Sequence, residues 1–417
     1  MILSPFAIFL GACSGSPEPA PAAPPPAIPA AAGQVEEALL PDRTHALVLS
    51  IAWFEDGPDG KPKPGPARLQ FWQETPRGWE ATRLEDPDSN VFHKALPHEG
   101  ALLTIGGEKA LLKRRTWDGT AWHQETLWSR TWGGRFNRLR DLEVGDVDGD
   151  GRDEFVMATH DHGVVAVMDP EVEGRPVTEL DPQSDTFVHE IEIGDVDGDG
   201  RNEFFATPSA RNRADASQKG AVVMYRWDGS TYVRSFVEQA EDTHAKEILA
   251  HDVDGDGKSE LFVVLEAALG PAERIVKPVE IRLYRPGREG RWTHEVVATI
   301  QDRQTRFLVP GDFDGDGEVE LVASAMKTGV WILDRKGKAV EGPWTATCID
   351  PNSGGYEHAA VAADLDGDGT PEIYVASDDQ EELVRYAWNA PTTSWGRTRL
   401  GRLSPGTITW NVAVAPF

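Results

Sequence analysis

The sequence predicts an all-β protein: a seven-bladed β-propeller with four-stranded blades, whose ring is closed by the C-terminal strand joining blade 1. Three observations predict this fold. One nine-residue acidic loop occurs five times, short apolar segments typical of strands flank each copy, and the copies start at regular intervals, at Asp146, Asp195, Asp252, Asp312 and Asp364. The intervals of 49, 57, 60 and 52 residues indicate a repeat architecture. A unit of this length accommodates four short strands, as a propeller blade does.

The acidic loops have the composition of calcium sites. They read DVDGDGRDE, DVDGDGRNE, DVDGDGKSE, DFDGDGEVE and DLDGDGTPE. Carboxylates at positions 1, 3 and 5, a backbone carbonyl at position 7 and a glutamate at position 9 supply the oxygen ligands that Ca²⁺ prefers. Glycines at positions 4 and 6 permit the sharp turns that wrapping an ion requires. About five calcium sites are therefore expected, with the ligands Asp146, Asp148, Asp150, Arg152, Glu154, Asp195, Asp197, Asp199, Arg201, Glu203, Asp252, Asp254, Asp256, Lys258, Glu260, Asp312, Asp314, Asp316, Glu318, Glu320, Asp364, Asp366, Asp368, Thr370 and Glu372.

Two other interpretations of these loops were weighed against calcium-binding turns between strands. An EF-hand loop would need a bidentate glutamate at position 12 and a helix on each side. Met157 and Ala206 occupy that position in the first two loops, and flanking segments such as EFVMAT and ELFVVL read as strands. The second interpretation, an acidic turn without metal, stays open, although four carboxylates this close repel one another unless a cation neutralises them.

Two blades without acidic loops precede the five that carry them. Residues 46–86 contain three segments that read as strands, ALVLSIAW, ARLQFWQET and GWEATRLED, and residues 90–132 form a second unit whose loop is shortened to HEG. The first unit lacks an innermost strand, whereas the final residues, TITWNVAVAPF, read as a strand without a blade. We expect the C-terminal strand to complete blade 1, which leaves only short, protected strand edges.

An aromatic residue marks the start of the fourth strand in most units. We expect these side chains to pack between neighbouring blades, because tryptophan fills interfaces more often than it binds sugars. The residues are Trp79, Trp122, Tyr232, Trp292, Trp344 and Trp395.

The D-x-D-G-D-G-x-x-E loops between strands resemble the FG-GAP or VCBS repeats of bacterial surface proteins and of the integrin α-subunit propeller, over about residues 42–417. The resemblance implies a propeller whose loops hold calcium. Family loops commonly have aspartate at the ninth position, where this chain has glutamate in all five loops. We expect the longer side chain to bind the ion differently, or through water.

The acidity of the chain is mostly that of its loops. The formal net charge is −28, and the five loops account for −19 of it. This charge argues against nucleic acid as a partner, because nucleic-acid binding needs a basic surface.

The first 41 residues predict a lipid anchor and a tether. Residues 1–12 end in an apolar run and resemble the signal peptide of a bacterial lipoprotein, with lipidation of the Cys13 thiol after cleavage. The Pro/Ala-rich segment 13–41 would hold the propeller domain, residues 42–417, away from a membrane. Ser14 does not resemble an inner-membrane retention signal, so we expect the bacterial outer membrane, on its periplasmic or cell-surface face, with the lipid as the only membrane contact. Because no lysine or arginine precedes Cys13, a fortuitous apolar start on a soluble protein is the alternative.

A ring of basic and imidazole side chains is the candidate ligand site. Six places before the first aspartate of each loop the sequence has Arg, His or Lys, where the innermost strands begin on the rim opposite the loops. Such a ring would attract anionic ligands, for example an anionic glycan or a protein ligand. The alternative is a strand register that favours long polar side chains paired with neighbours such as Asp141, Glu190 and Glu247. The candidate residues are His93, Arg140, His189, Lys246, Arg306, His358 and Asn411.

Other polar groups are expected on the same rim. His160, Asp161 and His162 in the sequence THDHG could bind zinc, but a zinc site needs a further ligand, and a solvated turn is the simpler interpretation. Further contact candidates are Asp378, Asp379, Arg211 and Arg213.

Motifs of the common enzyme classes are missing, since the sequence has no G-x-S-x-G elbow, no H-E-x-x-H and no C-x-x-C. The sequence therefore favours a membrane-tethered binding or adhesion module over an enzyme. The alternative is a lyase or hydrolase that acts on an anionic polysaccharide in the channel, with His189 as base and Arg306 as charge neutraliser.

Overall fold

The computed structural model describes residues 45–57, 60–133, 137–183, 186–210, 218–287, 290–335, 337 and 340–415. The predicted signal segment, the Cys13 lipidation site and the tether lie outside the described residues, as do Arg211 and Arg213. Within the described part, no helix is long and apolar enough to cross a membrane.

Seven four-stranded antiparallel sheets form the molecule, which confirms the predicted seven-bladed propeller. From the channel outward, blade 1 consists of β32 (Ile408–Ala415), β1 (Ala46–Ala52), β4 (Ala67–Thr75) and β5 (Gly78–Asp86), blade 2 of β6 (Phe92–His98), β7 (Ala101–Gly106), β8 (Ala110–Trp117) and β9 (Trp122–Arg130), and blade 3 of β10 (Leu139–Gly145), β11 (Glu154–Thr159), β12 (Val165–Met168) and β13 (Val177–Leu180). Blade 4 consists of β14 (Thr186–Gly194), β15 (Glu203–Ala210), β16 (Gly220–Trp227) and β17 (Tyr232–Ala240), and blade 5 of β18 (Ala245–His251), β19 (Glu260–Leu265), β22 (Val279–Pro286) and β23 (Trp292–Ile300). Blade 6 consists of β24 (Thr305–Gly311), β25 (Glu320–Ala325), β26 (Gly329–Asp334) and β27 (Thr345–Asp350), and blade 7 of β28 (Ala360–Ala363), β29 (Glu372–Ser377), β30 (Glu382–Asn389) and β31 (Ser394–Arg402).

Short elements decorate the blades. Two small hairpins are formed by β2 (Phe54–Asp56) with β3 (Pro62–Pro64) and by β20 (Ala268–Leu269) with β21 (Ile275–Lys277). The described helical structure is limited to 3₁₀ turns at Pro271–Glu273 and Asp378–Gln380.

The C-terminal strand closes the ring as predicted. Strand β32 pairs antiparallel with β1, from Ala46 opposite Ala415 to Ala52 opposite Ile408. The last strand of the chain therefore supplies the innermost strand of blade 1, and the closed ring has no long free edge to template aggregation.

Aromatic side chains pack between the blades, as the sequence predicts. Trp122 of blade 2 stacks on Phe71 of blade 1, with 5.1 Å between ring centroids. Similar contacts join Trp292 to Phe205, Trp344 to Phe262, Trp395 to Phe313 and Trp79 to Tyr374. Tyr232 instead meets Phe204 of its own blade. Contacts of this kind contribute about 0.5–1.5 kcal/mol each beyond the area they bury.

Six of the seven innermost strands contain a register shift within their first six residues. In β6 the shift lies between Phe92 and Lys94, and in β10 between Leu139 and Asp141. Equivalent shifts occur in β14, β18 and β24, and β32 shows one where it pairs with Ser50 and Ile51 of β1. Such β-bulges re-aim a side chain and are common next to functional sites.

Candidate functional site

The five acidic loops have one shared backbone design. In the loop of blade 3, Asp146 accepts hydrogen bonds from the amides of Gly149 at 2.7 Å and Gly151 at 2.9 Å. Both glycines have positive φ, +78° and +89°, which side chains with a Cβ rarely adopt. The amide of Arg152, the seventh residue, donates to the carboxylate of Asp150 at 3.0 Å. The loop is thus folded around its own carboxylates.

In each loop, the glutamate at position 9 uses one carboxylate oxygen for a hydrogen bond within the loop. Glu154 Oε2 accepts the amide of Val147 at 3.0 Å, and the glutamates of the other four loops make the same bond to the second residue of their loops. Glu154 is buried, and its other oxygen, Oε1, has no hydrogen-bond partner. A buried carboxylate oxygen without a partner fits a cation ligand.

In every loop, three carboxylate oxygens lie within 4.8 Å of one another and could hold a metal ion. The oxygen-only donor set suits a hard cation such as Ca²⁺. The groups are Asp146, Asp148 and Glu154; Asp195, Asp197 and Asp199; Asp252, Asp254 and Glu260; Asp312, Asp314 and Asp316; and Asp364, Asp366 and Glu372.

Burial and the neighbouring aspartates raise the pKa of the ninth-position glutamates. The pKa is about 7 for Glu154, Glu203 and Glu260 and about 8 for Glu320. Without a cation, a proton on the glutamate therefore neutralises part of the negative charge of the site.

Hydrogen bonds connect neighbouring loops in blades 3, 4 and 5. Asn202 Nδ2 donates to the carbonyl oxygen of Asp146 at 3.0 Å, and the amide of Ser259 donates to the carbonyl oxygen of Asp195 at 2.8 Å. These three loops form one connected surface. We call the loops of blades 3 to 7 together the loop rim.

The ring predicted from the sequence lies at the bulges on the opposite rim. His93, Arg140 and Lys246 are the residues skipped by the strand pairing in β6, β10 and β18, and His189 and Arg306 lie within the two-residue shifts of β14 and β24. All five side chains are buried. At each bulge, the side chain therefore points in a direction that a regular strand register would not give it.

The two remaining ring positions differ from this pattern. In blade 1 the bulged residue is Trp410, whereas Asn411 pairs normally with Ser50. His358 precedes β28 and has a φ of +57°, a strained value for a residue other than glycine. Trp410 is thus a site residue that spacing alone missed, because the bulge offsets the alignment of blade 1 by one residue.

A cavity open to solvent, of about 340 Å³, lies in the channel among these bulges. Glu357 spans it: Arg306 Nη1 donates to Glu357 Oε1 at 2.8 Å, and Arg140 Nη2 lies 3.2 Å from Glu357 Oε2. The Arg140 guanidinium also lies over the Trp410 ring, 5.0 Å from its centroid. The cavity is lined by His93, Lys94, Arg140, Asp141, Glu190, Arg306, Phe307, Glu357, Trp410 and Asn411.

Two donors of the cavity wall have no hydrogen-bond partner. They are Arg306 Nε and Trp410 Nε1, and their side chains are 6% and 9% exposed. Buried donors are normally paired, so an acceptor is expected at these positions.

The ring carries less positive charge than its composition indicates. Burial lowers the pKa of His93 and His189 far below the usual range and that of His358 to about 4, so these imidazoles are neutral near pH 7. Burial also lowers the pKa of Lys246 to about 8. The charge that faces the cavity comes mainly from Arg140, Arg306 and Lys94, the last of which the sequence analysis did not select.

The ion pairs of the ring differ from those considered in the sequence analysis. Asp141 pairs with Lys94 at 2.8 Å, while Arg140 pairs with Glu357 and Lys246 lies 3.6 Å from Glu266. The partners thus come from other blades or from connecting segments, at separations that no local pattern reveals.

The other polar candidates hold separate places. Asp161 pairs with Arg138 at 2.6 Å, and the ring of His160 packs on Phe187. In the described part of the chain, only the five acidic loops bring three metal-ligand atoms together, so His160, Asp161 and His162 form no zinc cluster there. Asp378 accepts the amide of Thr409 at 2.7 Å, and Asp379 accepts from Lys327 Nζ at 2.6 Å.

Comparisons with known proteins agree with the repeats and the fold. The family of FG-GAP-like repeats matches residues 146–206 and 312–375. The periplasmic gluconolactonase of Pseudomonas aeruginosa has 12% identity and a TM-score of 0.55, over 89% of this chain and 99% of that one. A protein from Lactobacillus plantarum has 11% identity and a TM-score of 0.53, over 89% and 99% of the two chains. At such identities the likeness shows the fold alone, and no curated protein matches in sequence.

The repeated acidic loops, the matched repeats and the seven closed sheets lead to one conclusion: the chain is a seven-bladed β-propeller that contains FG-GAP-like repeats.

Proposed function

We propose that this protein is a calcium-binding, membrane-tethered binding module that recognises an anionic ligand, such as an acidic sugar, in the channel cavity. The observation that carries the proposal is the pair of buried, unpartnered donors, Arg306 Nε and Trp410 Nε1, in the wall of an open cavity. Carboxylate or hydroxyl oxygens of a bound ligand would supply the missing acceptors.

The charge of the cavity favours an anion. Three cationic side chains, Lys94, Arg140 and Arg306, face two carboxylates, Asp141 and Glu357. Glu190 is a further titratable residue of the cavity wall. Burial and the charge of Asp141 raise its pKa well above its usual range. This shift favours the neutral form of Glu190, so cations outnumber ionised carboxylates among the lining residues. Outside the lining, Lys94 also pairs with Glu143, and Arg306 lies 3.6 Å from Glu266.

The size of the cavity favours a small ligand or the end of a larger one. The volume of about 340 Å³ includes space open to solvent, so the enclosed part is smaller than typical ligand pockets, which span roughly 300–1,000 Å³. We therefore expect one acidic sugar residue, at the terminus of a glycan, to enter the channel mouth. Glu357 already binds both arginines, so the ligand must share them with it or displace it.

In this proposal the acidic loops have a structural role. Calcium in the five loops would offset about half of the loop charge and hold the blades in register, at affinities of about 10⁻⁴ to 10⁻³ M that are typical of extracellular modules. The proposed lipid on Cys13 and the tether 13–41 would place such a module at the outer membrane, where calcium is supplied by the surroundings.

No described geometry favours the alternative of a polysaccharide lyase or hydrolase. His189, the base in that reading, is 1% exposed and is not among the cavity residues. Its Nε2 atom lies 2.8 Å from the Ser209 hydroxyl. A general base must reach the proton that it removes, and this imidazole is enclosed by protein.

The test is a calorimetric titration of the calcium-loaded full chain with glucuronate and galacturonate, beside glucose and galactose as uncharged controls. We expect binding of an acidic sugar only, and a loss of at least about 30-fold in affinity for Arg306→Gln. Arg83→Gln, an exposed position on the outer strand of blade 1, should bind as the native chain does. Equal binding of neutral sugars, or unchanged binding by Arg306→Gln, would contradict the proposal, and release of unsaturated or shortened products from a polymer would make the protein an enzyme.

A further inference from the structure

The five loops differ at one position outside the nine-residue motif. In each of blades 3 to 7, continuing the pairing of the second and third strands by one residue places the ninth-position glutamate opposite a residue of the third strand. The register follows from pairs such as Phe204 with Tyr225, which puts Glu203 opposite Arg226. The neighbours in blades 3 to 7 are Asp169, Arg226, Arg285, Asp334 and Ala387.

In blade 4 this neighbour contacts the metal-ligand group directly. Arg226 Nη2 lies 2.6 Å from Glu203 Oε1 and donates to Asp197 Oδ2. These are carboxylates of positions 9 and 3 of the loop. A guanidinium thus already neutralises two of the groups that a metal ion would use.

In blade 7 a second arginine, two residues before Ala387 on the third strand, reaches the same two positions. Arg385 pairs with Tyr374, and its Nη1 lies 3.0 Å from Glu372 Oε1 and 3.4 Å from Asp366 Oδ2. The two arginines arrive from different register positions and meet equivalent carboxylates. The contact is therefore a property of both sites and does not follow from repeat ancestry alone.

The other three loops are different. Arg285 of blade 5 occupies the register position of Arg226, yet it contacts Glu295 at 2.9 Å and Glu341 at 3.5 Å. Blades 3 and 6 have an aspartate there, and the charge of Asp334 helps to raise the pKa of Asp314 in the loop of blade 6. These loops gain no cation from the third strand. In blade 3 the loop's own Arg152 pairs with Asp169 at 3.1 Å and contacts Asp150, which is not among the three carboxylates that lie together there.

We propose that the five loops form two classes of calcium site: weaker sites in blades 4 and 7, where Arg226 and Arg385 act as internal competitors of the ion, and tighter sites in blades 3, 5 and 6. The inference rests on the calcium binding proposed above and adds which loops fill first. At rising calcium the loops of blades 3, 5 and 6 become occupied before those of blades 4 and 7.

The size of the difference follows from exposure. Arg226 and Arg385 are 42% and 30% exposed, so water screens their charge, and each ion pair contributes about as much as a surface pair. Displacing or crowding such a guanidinium should weaken calcium binding by about five-fold per site. The same arginines should keep the two loops ordered when calcium is removed.

The test is a calorimetric calcium titration of the chelator-treated full chain, with bound calcium counted by elemental analysis. The native chain should show three tighter and two weaker sites. Arg226→Gln and Arg385→Gln should each move one weak site into the tight class, and Arg226→Lys should leave that site weak because it retains the charge. Arg285→Gln is the matched control, since it removes an arginine from the same register position without touching a loop carboxylate.

The outcomes separate this inference from the function on which it rests. Five equivalent sites in the native chain, or unchanged classes in both glutamine variants, would overturn the inference while leaving calcium binding intact. If no calcium binds at all, the proposed calcium binding itself fails. The two single variants are independent, so misfolding of one still leaves the other to decide.

Discussion

Blades 1 and 2 and blades 3 to 7 handle buried carboxylates in different ways. Between blades 1 and 2, Asp86 is buried with Lys113, whose Nζ lies 2.7 Å away, and with Arg115, which donates to the same oxygen. In blades 3 to 7 the carboxylates converge on positions suited to an exchangeable ion. The first region therefore carries permanent counter-ions, whereas the second presents carboxylates that an ion could neutralise and that Arg226 and Arg385 neutralise in part in blades 4 and 7.

The shortened loop of blade 2 shows why no ion is needed there. The turn between β6 and β7 is reduced to Glu99 and Gly100, with φ of 47° and 72°. Two consecutive residues with positive φ make the tight turn that joins hairpin strands most easily. Without four carboxylates to hold together, this turn is stable through its backbone alone.

The largest effect that separates the two regions should come from removing calcium. At ten times the dissociation constant, each bound ion stabilises the folded state by about 1.4 kcal/mol, so five ions contribute about 7 kcal/mol. Chelation should therefore increase amide hydrogen exchange in β10, β11, β18 and β19 far more than in β4 and β8. Equal increases in amide hydrogen exchange in all blades, or exchange rates that chelator does not change, would contradict this difference between the two regions.

A second prediction concerns Asp86. Asp86→Asn leaves Lys113 and Arg115 buried without their carboxylate, and breaking a buried pair in this way costs about 3–5 kcal/mol. We expect this loss of unfolding free energy in urea with and without calcium alike. The control is Asp88→Asn, which removes the exposed partner of Lys113 and should cost less than about 1 kcal/mol. A loss that vanishes on calcium addition would contradict the division between permanent and exchangeable counter-ions.

The pH dependence should have opposite signs in the two regions. In the chelated protein, the pKa of Glu154, Glu203 and Glu260 is raised to about 7, so their contribution to stability is present at low pH and is lost as pH rises through 7. After solvent screening, the effect is about 0.5–1 kcal/mol per loop. The pKa of Asp86 is lowered, so its contribution is present above the ordinary aspartate range and is lost only as pH falls below it.

Unfolding midpoints in urea with chelator, between pH 5 and 8, would measure this slope. We expect stability to fall with rising pH, and Glu154→Gln to reduce the slope by the share of one loop. A rising slope with chelator present would show that the loop glutamates are ionised without calcium.

The smallest expected effect concerns the channel. Like blades 1 and 2, the channel has an internal counter-ion, since Glu357 pairs with Arg140 and Arg306. Glu357→Gln keeps a hydrogen-bond acceptor but removes the charge that competes with an anionic ligand. We expect affinity for an acidic sugar to rise by about ten-fold, as measured by calorimetry. Calcium binding should not change, because the cavity and the loop rim lie at opposite ends of the inner strands. Weaker binding by this variant would mean that Glu357 is a ligand contact and not a competitor.

Most of the fold could be predicted from the sequence because its signals are local. The acidic loops, the aromatic residue at the fourth strand and the unpaired C-terminal strand each mark one step of a blade, and the structure confirms them. The shared backbone of the loops follows from glycines at fixed positions, which adopt the required positive φ without steric cost.

The site was harder to predict because its contacts join distant parts of the chain. Arg140 meets Glu357 across 217 residues, and only the closed ring brings them together. The spacing rule assigned Asn411 to blade 1 where the bulge presents Trp410, since a one-residue shift moves the neighbouring side chain into place. Composition likewise overestimated the charge of the ring, because burial removes the proton from its histidines.

The most direct test of exchangeable ions in one region and permanent counter-ions in the other is a crystal structure of the calcium-soaked full chain with anomalous diffraction. We expect anomalous peaks within the five acidic loops and none between blades 1 and 2, where Lys113 and Arg115 should still be bound to Asp86. Loops without a peak at saturating calcium, or an ion in place of the Lys113 contact, would contradict this expectation.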